Sequence, residues 1–273
     1  MNLAQASEAF ESQQRRHAVW ASPTRTVEVV GPDGAVRVVR YQSEDPDGWS
    51  AVVWSDLAGL GAAAVEATVA EQAAWARENG RRLEWKYYHH DRPAGLPDVL
   101  VRNGFEPEEL ETVMAVDVAD LSTDVRLPDG VRLVEVHDEV GLALVAEAAT
   151  EAFGTPPGDR NDAALYVELA RQLQQTPQNL AVFVVLTDDG TPVSEGRVEL
   201  PAKGDFAGLW GGATVSTWRR RGLYRALVAH RAAVAAGRGF RWLTVDASSQ
   251  SRPILQSLGF VGIASTTPYV LQP

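Results

Sequence analysis

The sequence contains no cysteine, which excludes disulfides, thiolate metal sites and a cysteine nucleophile. No apolar run approaches the length of a membrane span. The start, Met1-Asn2-Leu3-Ala4-Gln5-Ala6-Ser7-Glu8, lacks a basic region followed by an apolar core. These absences predict a cytoplasmic protein with no membrane partner. Basic charge is scarce as well: 25 Lys and Arg stand against 36 Asp and Glu, a net charge of −11. So acidic a chain repels the nucleic-acid backbone, and no DNA or RNA partner is expected. The acidity suits an amine or other cationic acceptor, and it equally serves solubility. Residues 1–125 carry 11 basic and 21 acidic residues, whereas residues 126–273 carry 14 and 15.

At 273 residues and 45% hydrophobic content, the chain suits one large domain or two of average size. The polar stretch from Asp120 to Gly130 ends in turn chemistry and reads as a linker. It predicts a division into residues 1–125 and 126–273, and the pattern echoes across it. In the first half, Trp49 to Trp54 reads as a strand. A helix through Val65, Val69, Ala73 and Trp75 follows, stopping at Asn79-Gly80, and then Leu83 to Tyr88 is a second strand. Val99-Leu100-Val101-Arg102-Asn103-Gly104-Phe105 has the same Gly-Phe spacing as Ile254-Leu255-Gln256-Ser257-Leu258-Gly259-Phe260. Glu111 to Val118 reads as a closing strand.

The second half predicts a strand at Val131–Val136, helices over 139–153 and 162–173, and an end to the second helix near Thr176-Pro177. Strands follow at Ala181–Leu186, Ser194–Leu200 and Phe206–Val215, with a hairpin turn at Asp188-Asp189-Gly190. The most informative segment runs from Thr214 to Leu227: a strand end, a basic turn with one glycine, and the start of a long amphipathic helix to about Ala236. A helix start presents unpaired N–H groups and the positive end of the helix dipole, a cradle for pyrophosphate. The backbone amides from Arg220 to Tyr224, Leu223 among them, would bind the phosphate. Arg219, Arg221 and Arg225 would add charge, and Gly222 would let the backbone approach closely.

Arg219 and Gly222 resemble the Arg/Gln-x-x-Gly-x-Gly/Ala motif of the GNAT N-acetyltransferase superfamily, and the Gly-Phe segment ending at Phe260 resembles a second signature of that family. The resemblance covers residues 130 to 273. It departs from the pattern at Ser216, where a proline is usual, and at Tyr224, where a small residue is usual. A side chain at 224 would line the cofactor groove or crowd the phosphate. The resemblance implies two GNAT-like α/β lobes, each a mixed, mostly antiparallel twisted sheet flanked by helices. It makes the second lobe an acetyl-CoA-dependent N-acetyltransferase, with Val215 bonding the pantetheine through its backbone.

The first lobe has no such cradle: Ser55-Asp56-Leu57-Ala58-Gly59-Leu60-Gly61-Ala62 lacks arginine, and Asp56 would repel phosphate. A degenerate lobe that packs, shapes the acceptor site or forms a homodimer is the expectation. For the chemistry, family members often use a glutamate base, for which Glu195 and Glu199 are candidates on one face of a strand. Asp246 is a further acid on the next strand. The family's thiolate-protonating tyrosine falls at Leu255 and its usual asparagine near Ser248. Ser248, Ser251, Tyr269 or solvent remain as proton sources. Glu151, Phe153 and Tyr166 would line the acceptor pocket. His89-His90-Asp91 suggests a metal only weakly, because adjacent strand residues face opposite ways and no third ligand is evident. The expected reaction is acetyl transfer to an amine acceptor. The alternative is a non-catalytic acyl-CoA-binding or regulatory protein that has lost the transfer chemistry.

Overall fold

Local chemistry decides many of the elements. Asp138 caps the helix that follows it, its side chain accepting from the Gly141 N–H at 2.8 Å, and Gly154 ends that helix in the left-handed region. Val65, Val69, Ala73 and Ala76 recur at helical spacing and are all buried. The computed structural model describes residues 1–19, 24–31, 33–45, 48–124, 126–154, 160–175 and 178–273. Val125 and the expected stop at Thr176-Pro177 lie outside the described residues.

The first half begins with α1 (Leu3–Phe10), continued by a π-helical turn over Glu11–Arg16. Three strands follow, β1 (Thr24–Val30), β2 (Val36–Ser43) and β3 (Ser50–Ser55). Then come α2 (Ala62–Glu78), β4 (Leu83–Tyr88), α3 (Leu96–Arg102), the short β5 (Glu106–Pro107) and β6 (Glu111–Asp117). The second half contains β7 (Val131–Val136), α4 (Glu139–Phe153), α5 (Arg160–Leu173), β8 (Leu180–Thr187), β9 (Pro192–Glu199) and β10 (Phe206–Thr214). It closes with α6 (Leu223–Gly237), β11 (Trp242–Ala247), α7 (Arg252–Ser257) and β12 (Val261–Leu271). Each half therefore carries a run of antiparallel strands, three in the first and four in the second, then a helix, a strand parallel to the last of the run, a short helix and a closing strand. Among the described residues no helix is long and apolar enough to cross a membrane.

The halves do not close separately. Among the described residues the strands form one twelve-stranded sheet in the order β1-β2-β3-β4-β12-β6-β11-β10-β9-β8-β7, with β5 beside β12. The closing strands have exchanged places. β12 of the second half pairs antiparallel with β4 of the first, and β6 of the first pairs antiparallel with β11 of the second. β6 and β12 also pair with each other, so the two lobes share an uninterrupted hydrogen-bonded centre.

Strand alternation gives the sheet two distinct faces. One carries α2 and α3 over Val52, Leu83, Trp85 and Leu271, and α6 and α7 over Phe183, Val198, Leu209 and Leu243. The other carries α4 and α5 over Val182 and Val184, and α1 over the middle of the sheet. There Phe10 packs on Tyr88 and Phe206 with ring centroids 6.0 and 6.1 Å apart. The π-helical turn is fixed by Arg15, which is buried, bonds both oxygens of Asp91 at 2.7 and 3.0 Å and lies over the Tyr88 ring.

Candidate active site

β10 and β11 run parallel and in register only from Phe206/Trp242 to Gly208/Thr244. Beyond that they part, and the register of β10 against β9 slips between Trp210 and Ala213. The slip is a bulge made by Gly211 and Gly212, at φ +65° and +93°. A Cβ on Gly211 would lie 2.8 Å from Glu195 Oε2, and one on Gly212 3.0 Å from the Tyr224 ring. The bulge is thus pressed between two side chains that leave room only for glycine.

Glu195, 4% exposed, fills the bulge from the α4–α5 face, and Ala213 N–H donates to it at 3.1 Å. Burial raises its pKa, against the lowering effect of Arg197 and the Ala213 N–H. Arg231 of α6, 1% exposed, lies under the same strands from the opposite face and donates to the carbonyls of Leu227, Arg197 and Trp210. It holds β9 and β10 together where the ladder between them is broken.

The chain leaves β10 through Val215, makes a 3₁₀ turn over Ser216–Trp218, and enters α6 with Arg220 at φ +63° and Gly222 at φ +87°. Consecutive departures of this kind turn backbone N–H groups to one side, as anion-binding nests do. No side chain caps α6, and within the chain no hydrogen bond involves the N–H groups of Gly222, Leu223 or Tyr224 among the described residues. Space around the Gly222 Cα is open. The backbone of the basic turn therefore fits a phosphate group.

The side chains there divide into different roles. Arg219 is occupied by protein: it donates to the Thr214 carbonyl and to the Ala152 carbonyl, each at 3.0 Å, and so ties the end of α4 to the turn. Arg221 stacks on Trp218 at 4.5 Å, Arg225 bonds Ser257 Oγ, and the Arg220 side chain is exposed. Tyr224 turns inward, packing its ring on Gly212 rather than over the phosphate cradle. Val215 N–H donates to the Val193 carbonyl and its own carbonyl accepts from Trp218 N–H, so only the second carbonyl lone pair is open to a ligand.

The three residues considered for proton transfer are not together. Glu195 lies with Phe153 and Tyr166 around a cavity of about 140 Å³ between α4, α5 and the bulge. Glu199, two positions beyond Arg197 on the same face, opens instead into a cavity of about 420 Å³ between the halves. Burial and Glu168 raise its pKa against the effect of Arg197. Tyr269 is elsewhere: the exchange of closing strands carries it into the first lobe, paired with Trp85 and Pro107 and edge-on to Tyr87 at 6.1 Å. Expectations for Tyr269 as an acid near the cradle fail for that reason. Leu255 is core, and Ser248 and Ser251 bond each other at the start of α7. Glu151 lies in a surface groove with Val215 and Trp218 rather than beside Phe153.

The larger cavity has no counterpart in the sequence reading. Its lining carries the carboxylates of Glu84, Glu108, Glu111, Glu168, Glu199 and Asp246, the cations Arg82, Lys86 and Arg197, and the rings of Tyr41, Trp49 and Trp210. Arg197, Leu165 and Leu169 line both cavities, which places the second one directly beside Glu195. Asp246 stands on β11 just past its last pairing with β10, so the divergence of those strands opens toward this space. In the first lobe, His90 bonds Glu11 and His89 bonds Thr267, while Asp91 is held by Arg15. Among the described residues no group of three His, Asp or Glu side chains could hold a metal ion.

No protein-family model matches the sequence, and no curated protein matches it. Solved structures do. A GCN5-related N-acetyltransferase from Kribbella flavida superposes with TM-score 0.64 at 20% identity, over 98% of this chain and 95% of that one. Another from Sphaerobacter thermophilus gives 0.62 at 18% identity, over 91% and 81%. A tandem GNAT protein from the clavulanic acid biosynthesis pathway gives 0.62 at 13% identity, over 100% and 88%. With two matching sets of elements on one sheet, an uncapped helix start after the fourth strand of the second half, and these likenesses across nearly the whole chain, the protein has the fold of the GCN5-related N-acetyltransferases, laid down twice.

Proposed function

We propose that the second lobe transfers an acetyl group from acetyl-CoA to an amine. The observation that carries this reading is the uncapped start of α6, immediately after a strand that parts from its parallel neighbour beside a buried glutamate. Backbone N–H groups from Gly222 to Tyr224 would hold the pyrophosphate, with Arg220 and Arg221 adding charge at its rim. The remaining lone pair of the Val215 carbonyl and the open edge of β10 would receive the pantetheine. Acetyl-CoA supplies the acyl group, which passes to the amine as a C–N bond forms and the C–S bond breaks. Glu195 takes the proton released by the amine, a role helped by its raised pKa. The departing thiolate, whose free pKa is about 8.5, would take its proton from water.

The test is calorimetric titration with CoA, acetyl-CoA and ATP, followed by free-thiol release in the presence of amines. Both CoA species should bind and ATP should not. Gly222→Asp should abolish CoA binding by placing a carboxylate in the cradle. Gly222→Asn, neutral and tolerant of the left-handed region, should keep most of it. Glu195→Gln should leave CoA affinity intact and lower turnover by about 10²-fold or more. CoA binding without thiol release for any amine would make the protein an acyl-CoA-binding module instead.

A further inference from the structure

The cavity between the lobes contains more negative charge than the fold can satisfy. Of its three cations, Lys86 is ion-paired with Asp246, Arg82 bonds Glu108 at 3.1 Å, and Arg197 lies 3.8 Å from Glu199. Glu84 accepts from the Trp49 indole at 2.7 Å and Glu168 from Gln172 at 3.1 Å, both neutral donors, with the exposed Arg171 lying 3.9 Å from Glu168. Glu111 has no hydrogen-bond or ion-pair partner among the described residues. Burial, with Asp246, Glu84 and Glu108 nearby, pushes its pKa up to about 7.

An independent feature points to a donor missing from this space. Gln172 is only 4% exposed and lines the cavity, yet its Oε1 has no partner among the described residues. A buried amide oxygen without a donor is costly in a native fold, and rotation of the amide toward the cavity would let a ligand N–H satisfy it. A metal ion is not the missing group, because the carboxylates are dispersed and, among the described residues, do not converge as a metal-binding set. Spread acids, an unsatisfied acceptor and the faces of Tyr41, Trp49 and Trp210 match an extended organic cation, with ammonium groups set against carboxylates and rings.

We infer that the acceptor is a small amine bearing two or more cationic nitrogens. One amino group reaches Glu195 and another is held in the cavity between the lobes by Glu111, Glu168 and Gln172. This rests on the transfer reading above and narrows it. The first lobe thereby contributes to the acceptor site, since Glu84, Lys86 and Glu111 all come from the first half of the chain. Anionic and zwitterionic amines are rejected by the same field.

The experiment is calorimetry on the full chain with 1,4-diaminobutane, spermidine and n-butylamine, with and without CoA, alongside thiol-release kinetics. The diamine and spermidine should bind at least about tenfold more tightly than butylamine, roughly 1.4 kcal/mol or more. The advantage should shrink as NaCl is raised. The double variant Glu111→Gln/Glu168→Gln should remove it, leaving butylamine and CoA affinities within about twofold, with thermal melting confirming the fold. Butylamine binding and reacting as well as the diamine, or an unchanged diamine affinity in the double variant, would overturn the inference while leaving acetyl transfer standing. Diamine binding by a chain that binds no CoA would overturn the acceptor role together with the transfer reading.

Discussion

Lys86 and Asp246, 160 positions apart in sequence, form a buried ion pair that joins β4 of the first lobe to β11 of the second. Burial works against the lysine charge, but Asp246, Tyr88 and Glu84 together outweigh it and hold the lysine protonated, with its pKa raised. A lone charge at such a site is much worse than a pair. Lys86→Met should therefore destabilise the protein by about 3–5 kcal/mol in urea unfolding at pH 7. Lys86→Met/Asp246→Leu should recover most of the loss. Equal losses in the single and double variants would show that the pair is not an electrostatic unit.

Gly211 tests the bulge. Its left-handed backbone and the 2.8 Å approach of its missing Cβ to Glu195 both oppose substitution. Gly211→Ala should cost about 1–3 kcal/mol through the backbone. It should also displace the Glu195 carboxylate and lower kcat roughly 10²-fold, with CoA affinity kept. The comparison of melting temperature, CoA titration and turnover separates these effects.

The sign of the Glu111 effect on stability follows from its raised pKa of about 7. Between the unfolded value near 4.3 and about 7, the native state binds more protons than the unfolded state, so this group's contribution falls as pH rises. Above pH 7 the ionised carboxylate faces Asp246, Glu84 and Glu108, relieved only by Lys86. Glu111→Gln should stabilise the protein at pH 8 by about 1–2 kcal/mol after allowing for solvent screening, and change little at pH 4.5. Melting curves of both proteins across that range check it. A larger effect at the acid end would reverse the assignment.

Much of the fold was readable locally. Leu83–Tyr88, Val131–Val136 and the helix Glu139–Phe153 fall where strand alternation and amphipathic periodicity put them. The start of α6 was legible for the same reason, since a basic turn with one glycine before an amphipathic run has few other uses. β1, β2 and α1 went unread. The exchange of β6 and β12 could not be seen, because both segments read as closing strands and nothing in either names its neighbour. That one event moved Tyr269 to the wrong lobe for its expected role and brought Glu111 to the site unannounced. The cavity's acids come from β4, the connection before β6, β6 itself, α5, β9 and β11, so no window of sequence contains them. Arg219 looked like a phosphate ligand by charge and spacing, but its partners are carbonyls, one nearby at Thr214 and one far along the chain at Ala152.

The shared centre of the sheet makes a further test direct. Residues 1–125 alone lack β12, the antiparallel partner of β4, and residues 126–273 alone lack β6, the antiparallel partner of β11. Each fragment expressed separately should be poorly folded, exposing long unpaired strand edges. Co-expressed, they should assemble into a soluble one-to-one complex with the circular dichroism of the intact protein. A stable, monomeric folded fragment of either kind would contradict the dependence.

The position of β12 also bears on how the protein is made. Domains commonly fold in turn as they emerge during synthesis. Here the first lobe waits for Val261–Leu271, which follow every other strand of the sheet in the chain. Until β12 emerges, one edge of β4 has no neighbour, and β6 is offered to partners that do not yet exist. Synthesis must pass β12 before either lobe is whole, so a nascent chain stalled before it is the form most exposed to pairing with another of its kind.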